Sequence, residues 1–190
     1  QTVQHSPLVA ALLDGRDDTG HAYRKWNGSH WTLSLLADLG YPPGEACLRP
    51  LMDETFASYL SKSHEKYIRQ IAGRTRRCTS QEGNAIWSSL KLGFADSRTD
   101  ELVRRLLAWQ WPDGGWNCDK KPEANHSSFY ESLAPLWGLI EWHRATGDEA
   151  ALHLGDAEAR VLLGDADVGL LEHLAAAAHA VAVHGGDDGD

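Results

Sequence analysis

Apolar residues recur at helical spacing in three stretches of this chain. SHWTLSLLADLGY (29–41) and GNAIWSSLKLGFAD (83–96) read as short helices. Both close on leucine, glycine and an aromatic residue, Leu39-Gly40-Tyr41 and Leu92-Gly93-Phe94, 53 residues apart. Glycine just past the last periodic residue is the expected helix stop, because it enters the left-handed region without steric cost. A longer third stretch, SSFYESLAPLWGLIEWHRATGD (127–148), follows the same plan. Each is followed by a second helical stretch: EACLRPLMDETFASYLSKSHEKYIRQI, then DELVRRLLAWQ, then DEAALHLGDAEARVLLG. In the second of these, Leu102, Leu106 and Trp109 share one face. Thr79 with Glu82, Ser128 with Glu131 and Thr146 with Glu149 have capping-box spacing. No stretch alternates as a strand would. The pattern predicts an all-α fold of helical hairpins repeating at about 45–55 residues. Such a repeat buries its apolar face only against its neighbours.

Charge divides the chain more sharply than hydrophobicity does. The net charge is −9. Residues 1–147 hold 17 Lys/Arg and 17 Asp/Glu and sum to zero. Residues 148–190 hold one base, Arg160, and ten acids. That segment has none of the 16 aromatics, and 17 of its residues are Ala or Gly. Three regions are expected: a polar N-terminal segment (1–24), a helical-repeat body (25–147) and an acidic Ala/Gly-rich segment (148–190) whose last residues are disordered. The chain starts at Gln, which fits a fragment or a trimmed chain. Cys47, Cys78 and Cys118 stand far apart. That spacing argues against a disulfide framework and for a reducing, cytoplasmic setting. No apolar run reaches the length of a membrane span.

The most unusual stretch is WQWPDGGWNCD (109–119), with three tryptophans around a Pro-Asp-Gly-Gly turn. Pro112 ends the helix before it. Gln110, three residues, then Gly114-x-Trp116 resembles the QW motif of terpenoid cyclases and protein prenyltransferases. The wider region, about residues 25–147, is similar to bacterial squalene-cyclase-like proteins with prenyltransferase repeats. The resemblance implies an α-α toroid, of which this chain would hold part. In that family the Gln and Trp tie helix ends together. Trp116 is therefore expected to pack on the end of the preceding helix, with Gln110 bonded to backbone at a helix terminus. Trp109 and Trp111 are expected to fill space between hairpins; an aromatic wall against a carbocation is the functional alternative.

The resemblance also implies an isoprenoid-type ligand, a polyprenyl or triterpene chain. Trp87, Phe129, Tyr130 and Trp137 sit on the first helices of their hairpins, the inner ring of the family, and are the candidate substrate contacts. The cyclases' Asp-x-Asp-Asp acid is missing; DGRDD at 14–18 has the wrong spacing and reads as solvated loop. Glu82 and Glu131 open inner helices and are the candidate general acids; their capping-box position explains both without catalysis and is the favoured reading. KSHEKYIRQIAGRTRR (62–77) carries six of the 18 Lys/Arg. Arg74, Arg76 and Arg77 there are the candidate phosphate ligands, since Arg grips phosphate oxygens in a fork. A solvated outer helix is the alternative, and the run lacks the aromatic interleaving of a nucleic-acid surface.

Asp113, Cys118, Asp119 and His126 fall close together in donor types that suit zinc. Their spacing is not the prenyltransferases' own, and no second-shell support is visible, so no metal or cofactor is expected. His173, His179 and His184 lack the i,i+4 pairing of helical ligands. A half-ring leaves apolar edges, so self-association or further chain is expected to complete it. The competing function is a non-catalytic helical-repeat module that binds a lipid or a protein.

Overall fold

The computed structural model of the protein describes residues 3–14 and 21–148. Most of the acidic C-terminal segment, Glu149, the body of DGRDD and the three late histidines lie outside the described residues. The described part is mostly helical: α1 (Pro7–Asp14), α2 (Ser29–Asp38), α3 (Arg49–Tyr59), α4 (Lys62–Glu65), α5 (Ser80–Lys91), α6 (Ser97–Trp109) and α7 (Phe129–Thr146). Helix α5 lies at the centre. It packs most closely on α7, then on α2 and α6, while α3 covers α2 and α5.

The two predicted glycine stops are built alike. Gly40 (φ +67°) and Gly93 (φ +72°) turn left-handed. The next aromatic amide reaches back to the helix, Tyr41 N–H to Leu36 O at 2.9 Å and Phe94 N–H to Ser89 O at 2.7 Å. This closes orphan carbonyls at the helix end and buries Tyr41 and Phe94 in the core.

Two expectations fail in the first hairpin and at the helix starts. The stretch after Tyr59 does not continue as helix. Ser61 accepts from the His64 amide and starts the single turn of α4. The chain then forms an antiparallel hairpin of β1 (Arg69–Ile71) and β2 (Arg74–Arg76). Its turn, Ala72-Gly73, has positive φ at both residues, the geometry that matches strand twist in a two-residue loop. The capping boxes predicted at Thr79/Glu82 and Ser128/Glu131 do not form. The box lies instead at Asp96 and Thr99.

Glycine lets α5 and α7 touch backbone to backbone. A Cβ on Gly83 would stand 2.3 Å from Pro135 N, and one on Gly138 would stand 2.6 Å from Gly83 O. Pro135 sits inside α7 and has no N–H, so the Glu131 carbonyl one turn earlier loses its helical donor. The Thr79 hydroxyl replaces it at 2.8 Å.

The Trp-rich turn is structural scaffold. Trp116 is 1% exposed, and its indole N–H bonds to Leu106 O of α6 at 2.9 Å. That is the expected packing on the preceding helix end. Gln110 differs from expectation: its amide bonds to Gly114 O within the turn, at 2.8 Å. Trp111 reaches the hairpin instead, donating to Thr75 O at 2.7 Å.

Candidate functional site

The hairpin and the Trp turn together place two side-chain clusters at one cleft. Trp111 is the platform. The Arg76 guanidinium lies 4.3 Å from its ring centroid and Arg74 lies 5.4 Å away. Beyond the turn, Asn117 pairs with Arg76 as a parallel bridge, and the Arg77 amide donates to Asn117 O at 3.3 Å. This contact sets the next residues of the two segments, Cys78 and Cys118, side by side.

The cleft they border has a volume of about 280 Å³. Arg69, Arg76, Arg77 and Lys120 line it, with His21 and His64. Tyr23, Tyr59 and Tyr67 supply aromatic wall. Cys78, Cys118, Ser58 and Gln81 complete the lining, which contains no carboxylate.

The first cluster forms the floor. Glu82 is 1% exposed and takes Arg77 Nε at 2.9 Å and Nη2 at 2.8 Å on one oxygen, Oε1. His64 Nε2 stands 3.3 Å from the same oxygen and also touches Arg77 Nη2. One ring nitrogen cannot donate to Glu82 and accept from Arg77 at once, so these two contacts call for different tautomers of the ring. Burial opposes ionisation of Glu82, but the bonds from His64 and Arg77 outweigh it and hold the carboxyl below the usual carboxylate range. An ionised carboxylate has no proton to give, so this geometry makes Glu82 a countercharge. Its Oε2 is buried without a partner.

The second cluster joins Cys78, Cys118 and Glu131, whose ligand atoms all lie within 4.8 Å of one another. The Cys118 thiol donates to Glu131 Oε1 at 3.4 Å. Glu131 Oε2 accepts the Ser80 amide, an orphan donor of the α5 N-terminus, at 3.1 Å. Burial pushes the Cys118 thiol up to about 12, with Cys78 and Glu131 adding to the effect. Burial raises Cys78 as well.

The sequence candidates are thus partly gathered here. Arg76 and Arg77 line the cleft, Glu82 lies behind Arg77 as its buried partner, and Glu131 joins the cysteine edge. Arg74 stays over Trp111 and does not line the cleft. Nor do the aromatic candidates. Trp87 and Trp137 pair across α5 and α7 with ring centroids 6.1 Å apart. Phe129 and Tyr130 are 69% and 82% exposed.

No family model, curated protein or solved structure matches the chain. The likeness to terpenoid cyclases and prenyltransferases rests on the quoted residues alone.

The zinc-type quartet suggested by spacing is dispersed. Asp113 binds the Ser127 amide at 2.6 Å, Asp119 accepts the Lys121 amide at 3.0 Å, and His126 is exposed. Cys78 and Glu131, the actual neighbours of Cys118, come from segments that the local spacing did not join. The only sequence signal for the pair was that each cysteine directly adjoins a predicted helix boundary or turn.

Proposed function

We propose that this protein binds a small phosphate-bearing anion in the cleft, with a short-chain isoprenoid diphosphate as the ligand class. Arg76 carries this reading. It is 1% exposed, lines the cleft, and has no carboxylate partner among the described residues. Its Nη2 donates to Ala124 O at 2.8 Å, while Nε and Nη1 are buried without partners. A buried guanidinium stays charged and is costly to leave without a counterion. A phosphate group in the cleft supplies that charge. Arg69, Arg77 and Lys120 extend the same field, and Tyr23 and Tyr67 offer faces to an apolar chain.

The resemblance supplies the isoprenoid part of the proposal, including the part-toroid in which α2, α5 and α7 form an inner row. The cleft volume of about 280 Å³ lies just below the usual range for small-molecule sites, roughly 300–1,000 Å³. That favours a short prenyl chain over a triterpene. Glu82, ionised and paired, favours binding or transfer of a diphosphate over cyclisation started by protonation.

Calorimetric titration of the full chain with inorganic diphosphate, dimethylallyl diphosphate and the matching alcohol tests this. Both diphosphates are expected to bind, and Arg76→Met to weaken them about 10- to 100-fold, the worth of a charge-assisted hydrogen bond. Lys120→Ala should weaken them less. Equal binding of the neutral alcohol, or unchanged affinity in Arg76→Met, would remove the proposal.

Phe129 and Tyr130 favour a second reading, a helical-repeat module with a partner. They stand exposed and in contact with each other at the start of α7, ring centroids 5.9 Å apart. Sedimentation equilibrium of the wild type and of Phe129→Ser/Tyr130→Ser tests self-association through that edge.

A further inference from the structure

We propose that Cys78, Cys118 and Glu131 bind a zinc-class divalent cation, with a fourth coordination position open to the cleft. The proposal does not depend on what anion the cleft takes.

The geometry comes from three segments that are each fixed by contacts outside the cluster. Cys78 follows β2 and is held through the Arg77 amide bond to Asn117 O. Cys118 follows the Trp turn, whose Asn117 bridges to Arg76. Glu131 lies in the first turn of α7, with Oε2 on the Ser80 amide and its carbonyl on the Thr79 hydroxyl. The three ligand atoms therefore converge without having to be recruited from flexible positions, and they already lie within 4.8 Å of one another. The 3.4 Å from Cys118 Sγ to Glu131 Oε1 suits two donors on one small ion, given zinc distances of about 2.3 Å to sulfur and 2.0–2.2 Å to carboxylate.

The donor set selects the metal. Two thiolates with one carboxylate suit zinc and exclude the all-oxygen shells of magnesium and calcium. Three protein ligands with one open position is the arrangement of zinc sites that take an exogenous ligand. Here the opening has a direction. Cys78 and Cys118 line the cleft, and Glu131 does not. The fourth position thus faces the cleft, on the side of its tyrosines and arginines.

Without a cation the cluster is poorly explained. A thiol is a weak donor, so the Cys118–Glu131 contact alone gives little reason to bring two sulfurs onto a half-buried carboxylate. No Lys, Arg or His among the described residues forms an ion pair with Glu131. Binding converts both thiols to thiolates and releases their two protons to solvent.

The test uses the full chain, reduced and stripped with chelator, then titrated with zinc chloride and with cobalt chloride. One zinc per chain is expected, held tightly enough to compete with a chromogenic chelator. Cobalt should give the intense visible bands of a tetrahedral site together with thiolate charge transfer. Cys78→Ser and Cys118→Ser should each weaken zinc by about 100-fold or more, and Glu131→Gln by about 10-fold or more, set against the 10- to 100-fold usual for outer-shell losses. Cys47→Ser, an exposed thiol outside the cluster, should bind as wild type does. Should the cluster variants not fold, alkylation of the wild type settles the matter: zinc should protect Cys78 and Cys118 but not Cys47. The proposal falls if zinc protects none of the three thiols, if cobalt stays octahedral, if Cys47→Ser loses the metal, or if Cys78 and Cys118 close as a disulfide in glutathione buffer with zinc present.

Discussion

The Thr79 hydroxyl donates to the Glu131 carbonyl across the α5–α7 joint, at 2.8 Å. Pro135 makes this bond necessary, since it removes the amide that would otherwise serve that carbonyl. Thr79→Val should therefore cost about 1–3 kcal/mol, the penalty for a buried carbonyl left unsatisfied. Pro135→Ala returns a helical N–H to the same carbonyl. In that background Thr79→Val should cost at least about 1 kcal/mol less, a coupling typical of groups that share a partner. Urea unfolding of the four proteins in this double-mutant cycle gives the answer; additive costs would show that the two residues do not serve one carbonyl.

Gly83→Ala should destabilise in spite of improved helix propensity. Alanine gains about 1 kcal/mol over glycine inside a helix. Its Cβ would stand 2.3 Å from Pro135 N and 2.4 Å from Ala134 C, both backbone atoms that move only with α7. Overpacking of that kind costs about 1–3 kcal/mol or more, so the net effect is a loss. Chemical denaturation of Gly83→Ala and Gly138→Ala should show lower midpoints for both. A gain in either would mean that the joint can open freely.

Trp116→Ala should cost about 3–5 kcal/mol, the range for a buried aromatic truncated in a core. Trp116→Phe keeps most of the ring and loses the bond to Leu106 O, so about 1 kcal/mol of the loss should remain from that bond. Thermal melts of both variants separate packing from hydrogen bonding. An unchanged melting temperature in Trp116→Ala would contradict the scaffold role.

Acid should weaken the fold through His30 before the carboxylates protonate. His30 is buried between Tyr23 and Tyr59, with Nδ1 unpartnered. Burial pulls it down from 6.5 to about 4. The unfolded chain then binds a proton that the folded chain refuses. The stabilisation is complete above pH 6.5, falls as pH drops below that value, and is gone below about 4. The full difference is on the order of 3 kcal/mol. Urea midpoints measured from pH 7 to pH 5, above the range where Glu82 takes up its proton, should fall for the wild type and stay nearly level for His30→Phe. Parallel profiles would place the acid sensitivity elsewhere.

Local signals in the sequence translated well where the structure is local. Gly40 and Gly93 stop their helices as their Leu-Gly-aromatic setting predicts, and Leu102 and Leu106 face the core at helical spacing. The burial of Trp116 against its own helix was readable for the same reason. The hairpin was not, because RQI and RTR are three-residue strands without alternation, and only Gly73 hints at their turn. The capping boxes failed because Glu82 and Glu131 have stronger partners in tertiary structure than their own helix starts: Arg77 for one, the α5 terminus for the other. The cysteine pair was hidden for a similar reason. Cys78 and Cys118 are forty residues apart in sequence and meet because the Trp turn docks on β2 through Trp111 and Asn117.

The origin of the cleft's charges bears on how this protein can diversify. Arg69 and Arg76 come from the hairpin and Lys120 from the loop beyond the Trp turn, while the glycine joint of α5 and α7 lies elsewhere in the chain. Substitutions at Arg69 or Lys120 change the charge of the cleft lining without touching the close contact of Gly83 and Gly138 between α5 and α7. The charge of the cleft lining and the close packing of α5 on α7 are thereby carried on separate stretches of sequence, and selection can act on the first while leaving the second intact.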